Sequence, residues 1–188
     1  MNRTEPIRDP LLLRAFLNYY KITGQYRNHV LLNLGVYTAL RISDILSIST
    51  NDVYDFRKQK IKDYITVTEK KTGKSKTIAL HQDIKNALNS YFDDAHPLNP
   101  LIINETTGTS ISRSHAYRII DEAAKAVSIP HKVSCHSLRK TFGYHAWKNG
   151  ISPVVLMDIY NHNSYEVTKR YLGVTQDDHN KVYLSLSV

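Results

Sequence analysis

The sequence of 188 residues holds a single cysteine, Cys135. One thiol excludes an internal disulfide framework and is compatible with a reducing compartment. No apolar run approaches the ~20 residues that span a membrane. The N-terminal Met-Asn-Arg-Thr-Glu-Pro also lacks the apolar segment of a signal peptide. We therefore expect a cytoplasmic protein that does not associate with membranes.

Acidic residues are scarce relative to basic ones. The chain carries 25 Lys and Arg against 17 Asp and Glu, which gives a net charge of +8 and a pI of about 9.5. This balance is typical of proteins that bind a polyanion, most commonly nucleic acid. A basic surface without a partner is the alternative, and composition does not separate the two. With 41% hydrophobic residues, the chain can form one folded domain.

Metal-binding patterns are equally sparse. The densest group of candidate ligands is His131, Cys135, His136 and His145, but its spacing matches no closed zinc site and no second cysteine exists. Cys135 with His136 is a poor protease pair, because adjacent residues point to different faces of a helix. We expect neither a metal nor another cofactor.

The apolar periodicity is mostly helical, with one stretch of strand-forming residues. Asp9 and Pro10 are typical of a helix start and Gly24 of a helix end. The expected fold class is mainly α with a small antiparallel β-sheet, an α+β domain over residues 1–188. The predicted helices are 10–23, 28–37, 41–46, 82–94, 113–127, 136–149, 153–159 and 164–172.

The strand-forming stretch between Lys60 and Leu80 predicts a hairpin with Gly73 at a positive φ in the turn. Residues 57–76 contain eight Lys or Arg against two acidic residues. Such a segment favours contacts along a phosphate backbone; a solvated hairpin face is the alternative. Lys71, at the turn, is a candidate general acid for a departing 5′ oxygen.

Five further side chains suit the chemistry of a phosphodiester. His136 and Arg139 lie three residues apart, so a helix places them on one face. Arginine presents a planar fork of donors to two phosphate oxygens, and Arg41 is a candidate for the opposite side. The phenol of Tyr171 has an ordinary pKa near ~10 and needs a proton acceptor or a cationic site to become a nucleophile. His162 is a second candidate for proton handling or hydrogen bonding.

Each of these residues has an ordinary alternative. Arg41 could simply pair with Asp44, three residues later. The chain has nine histidines and thirteen tyrosines, and Tyr160 and Tyr165 lie close to Tyr171 in sequence. The interpretation therefore depends on the order and spacing of the whole set rather than on any one residue.

Three segments together resemble the tyrosine recombinases of the phage integrase family, over roughly residues 11 to 183. The family patterns are T-G-L-R-x-S-E-x-x-x-L, H-x-L-R-H-T-F and L-G-H-x-x-x-x-x-T-x-x-Y, and a hairpin lysine often lies in a K-T-G turn. The corresponding segments here are Thr38-Ala39-Leu40-Arg41-Ile42-Ser43-Asp44-Ile45-Leu46, His136-Ser137-Leu138-Arg139-Lys140-Thr141-Phe142, Ile159-Tyr160-Asn161-His162 with Thr168 and Tyr171, and Lys71-Thr72-Gly73.

The resemblance implies a DNA breaking-rejoining catalytic domain that acts without metal or ATP. The scissile phosphate would be bound by Arg41, Arg139 and His162. Proton transfer would involve His136 and Lys71, with Lys70 or Lys74 as less favoured choices for the general acid. Tyr171 would hold the DNA as a 3′-phosphotyrosyl ester during site-specific recombination or integration.

The resemblance also suggests partners. Double-stranded DNA would be the substrate. The protein would be a monomer or weak oligomer in solution and would form a homotetramer on DNA, with or without an accessory DNA-bending protein. It would be bacterial or phage-derived and associated with the nucleoid. Further DNA contacts are expected at Lys70, Lys74, Lys76, Arg113 and Lys140. Apolar residues of the tail, Val182, Tyr183, Leu184 and Leu186, could dock on a neighbouring protomer or pack on their own domain.

Several departures from the family pattern leave the catalytic groups intact. Ala39 and Asn161 stand where the family usually has Gly, Asp44 replaces the commoner Glu, and Lys140 replaces a common His. About ten residues precede the first predicted helix, so we expect the family's N-terminal DNA-binding domain to be absent. The alternatives are a type IB topoisomerase-like enzyme and a non-catalytic DNA-binding regulator with the same fold.

Overall fold

A computed structural model describes residues 4–94, 99–174, 180 and 183–185. Within these ranges, helices dominate and the strands form three separate antiparallel pairs. The helices are α1 (Pro10–Ile22), α2 (Tyr26–Tyr37), α3 (Ile42–Ile45), α4 (Thr50–Val53), α5 (Gln82–Asp94), α6 (Arg113–Ala126), α7 (Cys135–Lys148), α8 (Pro153–Tyr160) and α9 (Tyr165–Leu172). The strands are β1 (Tyr54–Asp55), β2 (Lys60–Ile61), β3 (Tyr64–Thr68), β4 (Ser75–Ala79), β5 (Ile103–Asn104) and β6 (Thr109–Ser110).

Local signals in the sequence set the ends of the longer helices. The Asp9 carboxylate accepts hydrogen bonds from the backbone N–H groups of Leu11 and Leu12, at 2.7 and 3.1 Å, and Pro10 occupies the first turn of α1. Ser112 caps α6 by accepting from the His115 N–H at 3.1 Å. The predicted helix starts at residues 10 and 113 are confirmed, whereas the second helix begins two residues earlier than expected and α4 was not predicted.

The single small sheet that the sequence predicted is instead three two-stranded pairs, β1–β2, β3–β4 and β5–β6. Four of these strands are only two residues long, too short for an alternating pattern to be recognised. The β3–β4 hairpin is the predicted one, with Thr66 opposite Thr77 and Gly73 at a φ of 67° in its turn.

Helix α2 lies at the centre of the main core. Its residues from Asn28 to Val36 are all buried, and it packs against α1, α5 and α7. The buried polar side chains are satisfied locally: Asn33 donates to the His29 carbonyl at 2.9 Å. Because α2 is fixed on several sides, the turn that follows it and carries Arg41 has a defined position.

A second, smaller core holds the C-terminal helices onto α7. It consists of Ala39, Leu156, Tyr160 and Leu172, with partly buried neighbours that include Tyr171. This cluster brings α8 and α9 beside the helix that carries His136 and Arg139. In the tail, Tyr183 and Leu184 are exposed, whereas Val182 and Leu186 lie outside the described residues. None of the described helices is both long and apolar enough to cross a membrane.

Gly143 allows α7 and α8 to approach closely. A Cβ at this position would overlap the Tyr160 hydroxyl and lie 3.2 Å from Cζ of the same ring. We predict that Gly143→Ala lowers the free energy of unfolding by about 1–3 kcal/mol despite the better helix propensity of alanine. Chemical denaturation at equilibrium would measure this.

The control is Asn89→Ala on the exposed face of α5, which should change stability by no more than about 0.5 kcal/mol. A Gly143→Ala variant as stable as the wild type would show that Tyr160 can move without cost.

Candidate active site

The guanidinium of Arg139 is buried and held by backbone carbonyls. The residue is 1% exposed, Nη1 donates to the Ala39 carbonyl, and Nη2 donates to the Tyr160 carbonyl at 2.9 Å. Its Cζ lies 4.5 Å from the centroid of the Tyr160 ring, a cation–π arrangement. These contacts fix the guanidinium without neutralising its charge. Nε is buried and has no hydrogen-bond partner among the described residues.

Arg41 lies immediately before α3 and joins the same site. Its Nη1 is 3.1 Å from Oε2 of Glu69, with the side chain 20% exposed. Arg41 thus pairs with Glu69 rather than with Asp44, whose carboxylate accepts the backbone N–H of Lys70 at 3.0 Å. Burial, and then the charge of Arg41, lower the pKa of Arg139. The two guanidinium groups are therefore close enough for their charges to interact.

The Tyr171 hydroxyl shares a hydrogen bond of 2.8 Å with Nε2 of His136. Burial of part of the ring, followed by the charges of Arg139 and Lys140, lowers the pKa of His136. The imidazole is therefore neutral at pH 7 and can accept the phenol proton on Nε2. The structure thus brings together the predicted nucleophile and the predicted proton acceptor, one from α9 and one from α7.

His162 is also neutral at pH 7. Burial, then the charges of Arg139 and Arg41, lower its pKa to about 4. Its Nδ1 shares a hydrogen bond of 2.9 Å with the Thr168 hydroxyl, and its ring centroid lies 4.8 Å from that of Tyr171. This arrangement leaves His162 able to donate one hydrogen bond rather than to act as a cation.

Tyr171 is distinguished from the neighbouring tyrosines by its surroundings. Tyr160 is fully buried, its hydroxyl donates to the Arg139 carbonyl at 2.7 Å, and burial raises its pKa. Tyr165 is 46% exposed at the start of α9. Of the three, Tyr171 pairs its hydroxyl with a histidine within reach of both guanidinium groups.

The predicted basic residues fall into two groups. Lys70, Lys71, Lys74 and Arg113 are exposed, and the Lys71 charge lies near enough to lower the pKa of His136. These four remain candidates for contact with DNA or, for Lys71, for proton donation.

Lys76 and Lys140 form the second group, whose ammonium groups contact acceptors within the protein. The Lys76 ammonium lies 2.6 Å from Oε1 of Glu69 and donates to the Ile159 carbonyl at 2.8 Å. Lys140 is 8% exposed, and its ammonium donates to the Thr4 carbonyl at 2.6 Å. Both ammonium groups are directed to acceptors within the protein, which the sequence pattern alone does not reveal.

Glu69 is a site residue that the sequence analysis missed. It is fully buried, and its carboxylate contacts four side chains from three parts of the chain: Arg41, Thr72, Lys76 and Asn161. A signal was present, because residues 65, 67 and 69 share the inward face of the hairpin. A glutamate in phase with Ile65 and Val67 should have been recognised as a buried acid near the arginines. Among the described residues, no three His, Cys, Asp or Glu side chains are grouped to hold a metal ion.

Comparison with known proteins identifies the lineage. Residues 12–177 match the model of the phage integrase family. The chain belongs to this family. It is 34% identical over 183 residues to "Probable integrase/recombinase YoeC" of Bacillus subtilis (strain 168), with 97% of each chain covered. The predictions of the phage integrase family, of the tyrosine-recombinase enzyme class and of the α+β fold class are thereby confirmed.

Two solved structures share the fold. The XerA recombinase superposes with a TM-score of 0.77 at 21% identity, covering 96% of this chain and 65% of that chain. The XerH site-specific recombinase bound to palindromic difH substrate, a post-cleavage complex, gives 0.76 at 16% identity, covering 92% and 50%. The chain therefore spans about half to two thirds of these structural relatives. The matches support site-specific recombination and do not favour the topoisomerase-like enzyme or the regulator.

The depressed pKa of His162 predicts a contribution to acid sensitivity. The folded state holds this imidazole neutral down to about pH 4, whereas the unfolded state takes up a proton near its ordinary pKa of 6.5. The unfolded state binds more protons in that window, so stability falls as the pH drops from 6.5 towards 4. His162→Gln should lose less stability over the same interval.

Thermal unfolding at a series of pH values between 7 and 4 would measure the difference between wild type and His162→Gln. His81→Gln, which changes an exposed histidine between β4 and α5, serves as the control and should follow the wild type. Parallel curves for wild type and His162→Gln would contradict the assignment of a neutral His162.

Proposed function

We propose that this chain cleaves and rejoins double-stranded DNA through a covalent 3′-phosphotyrosyl intermediate on Tyr171. The observation that carries the proposal is the 2.8 Å hydrogen bond between the Tyr171 hydroxyl and Nε2 of a neutral His136, beside two arginines. A nucleophile, its proton acceptor and a cationic phosphate site are then present together.

The proposed reaction balances without a cofactor. The Tyr171 oxygen attacks phosphorus while its proton passes to Nε2 of His136. The bond from phosphorus to the 5′ oxygen breaks, and that oxygen takes a proton from Lys71. The reverse sequence with a different 5′ hydroxyl rejoins the strand, so the energy of the phosphodiester is retained in the tyrosyl ester.

The phosphate site is preorganised. Arg139 and Arg41 would bind the non-bridging oxygens, and His162 would donate a further hydrogen bond. Negative charge grows on these oxygens in the transition state, and donors fixed before the reaction stabilise it without reorganisation. Arg139 meets this condition best, because two carbonyls hold it in place before any DNA is bound.

The remaining partners belong to the same proposal. Duplex DNA is supported by the family and by the substrate-bound state of the XerH relative. The exposed residues Lys70, Lys74 and Arg113 would contact its backbone. We further propose that residues 1–188 act as a catalytic domain in a homotetramer assembled on DNA, in the bacterial cytoplasm at the nucleoid, with or without a DNA-bending protein.

Covalent trapping tests the nucleophile and reveals the DNA site. Wild type, Tyr171→Phe and the control Tyr165→Phe are incubated with sheared genomic DNA and denatured, and the protein-linked fragments are sequenced. We expect adducts with wild type and Tyr165→Phe, concentrated at one short inverted repeat, and none with Tyr171→Phe.

An adduct that persists in Tyr171→Phe would refute the assignment of the nucleophile. Adducts scattered over the genome would instead indicate a topoisomerase-like activity. Salt-sensitive DNA binding without any adduct would indicate a regulator.

The identity of the general acid can be tested with a modified leaving group. Lys71→Ala should slow cleavage of the trapped DNA sequence by about 100-fold or more, because the 5′ oxygen then leaves unprotonated. Replacing that oxygen with sulfur should restore the rate, since a thiolate leaves without a proton. Single-turnover cleavage of both substrates would measure this.

Lys70→Ala and Lys74→Ala are matched controls, because they remove the same charge from the same exposed hairpin. If either control, rather than Lys71→Ala, is slow and rescued by sulfur, the general acid is that lysine.

A further inference from the structure

We propose that Glu69 is a positioning residue for the phosphate site, which acts by fixing the Arg41 guanidinium and by joining the hairpin to the segment that carries His162. The inference rests on the proposed function, because it assigns Glu69 a part in the phosphate chemistry proposed for this site. Glu69 is a buried acid in a site whose arginines would bind an anionic phosphate.

The contacts of the carboxylate define the role. Oε2 lies 3.1 Å from Nη1 of Arg41 and accepts hydrogen bonds from Asn161 and Thr72, each at 2.9 Å. Oε1 lies 2.6 Å from the Lys76 ammonium. Three parts of the chain therefore meet at one side chain: the turn after α2, the β3–β4 hairpin and the end of α8.

The pair with Glu69 engages Arg41 on one side. It uses Nη1, which leaves Nη2 and Nε for a phosphate. An arginine side chain loses rotamer entropy when it is fixed in one position. An ion pair that fixes Arg41 in the folded protein removes that cost from the step in which DNA binds and reacts.

The carboxylate also limits repulsion among the cations. Arg41, Arg139 and Lys76 surround a small volume, and Glu69 supplies a negative charge there. Burial alone would raise the pKa of Glu69, but hydrogen bonds from Lys76, Asn161 and Thr72 outweigh it and lower the pKa to about 2. Glu69 is thus ionised throughout the physiological range.

Asn161 explains one departure from the family pattern. It ends α8 in the left-handed region, with a φ of 52°, where glycine is favoured and asparagine is the best tolerated alternative. Its side-chain amide donates to Glu69, and the next residue is His162. Glycine at this position could keep the backbone but would lack the donor, so Glu69 and Asn161 function as a pair in this chain.

Glu69 is not itself placed to react. It is fully buried, both oxygens contact cations or donors, and the Tyr171 hydroxyl is paired with His136 instead. A general base would need access to the phenol proton. The effect of Glu69 on catalysis must therefore pass through Arg41 and the hairpin.

The experiment compares Glu69→Gln and Asn161→Gly with wild type, using the DNA sequence recovered by covalent trapping. Two quantities are measured: the DNA dissociation constant, and the single-turnover rate of adduct formation at saturating DNA. We expect Glu69→Gln to slow adduct formation about 10- to 100-fold, a loss typical of a misplaced binding group. Its DNA dissociation constant should stay within about twofold of wild type, because most contacts are with the DNA backbone outside this site.

Asn161→Gly should lose a few-fold in rate, because it removes one of the four contacts to the carboxylate and preserves the backbone. Glu105→Gln is the matched control: it removes the same charge from the exposed turn between β5 and β6 and should leave the rate unchanged. A Glu69→Gln variant that forms adducts at the wild-type rate, or that loses rate and DNA affinity in proportion, overturns the proposal.

A second measurement does not depend on DNA. In protein labelled with ¹⁵N-arginine, the Arg41 guanidinium, assigned by Arg41→Lys, should give resolved Nη signals at low temperature in wild type and averaged signals in Glu69→Gln. Unchanged Arg41 signals contradict the proposal. If wild type forms no adduct, the proposed function fails, and these signals alone decide whether Glu69 fixes Arg41. If Glu69→Gln does not fold, the same comparison is made with Asn161→Gly.

Discussion

The buried charge of Arg139 is the interaction on which the site depends. A guanidinium at 1% exposure has lost most of its hydration, which costs several kcal/mol unless its donors are satisfied. The carbonyls of Ala39, in the turn after α2, and Tyr160, at the end of α8, accept hydrogen bonds from Nη1 and Nη2. Ala39 takes a φ of 56°, an unusual conformation for alanine that presents its carbonyl to Arg139. The close approach at Gly143 lets Tyr160 pack against α7. The contacts that stabilise this part of the fold are therefore the same contacts that hold Arg139 in the candidate active site.

The concentration of positive charge determines the protonation states of the two histidines. Both imidazoles lie close to Arg139 and Arg41, and both pKa values are lowered, first by burial and then by these charges. A neutral His136 can accept a proton from Tyr171, whereas an imidazolium could not. The arginines thus serve two purposes, because the same charges that would bind the phosphate keep the proton acceptor in its basic form.

The sequence predicted the parts of the site that are encoded within one segment. Helical spacing placed His136 and Arg139 together, the Gly73 turn placed the hairpin, and the family resemblance placed Tyr171. The place of Glu69 in the site and the internal acceptor of Lys140 were missed, because each involves a partner far away in sequence: Asn161 is 92 residues from Glu69, and Thr4 is 136 residues from Lys140. The local sequence pattern indicates which face of a helix or strand a side chain occupies. It does not indicate which residue, distant in sequence, that side chain contacts in the folded protein.

The hairpin combines a fixed base with an exposed tip. Asp44 accepts the backbone N–H of Lys70, and within the turn the Gly73 N–H donates to the Glu69 carbonyl at 2.8 Å. These bonds and the Glu69 carboxylate hold the backbone on both sides of Lys71, while the Lys71 side chain itself is exposed. A general acid needs its proton donor in water until the leaving oxygen arrives, since burial of the ammonium beforehand would lower its pKa and discharge it. For the proposed general acid, an anchored backbone with an exposed side chain would meet both needs, because it would limit the search of the ammonium to the region beside a bound phosphate.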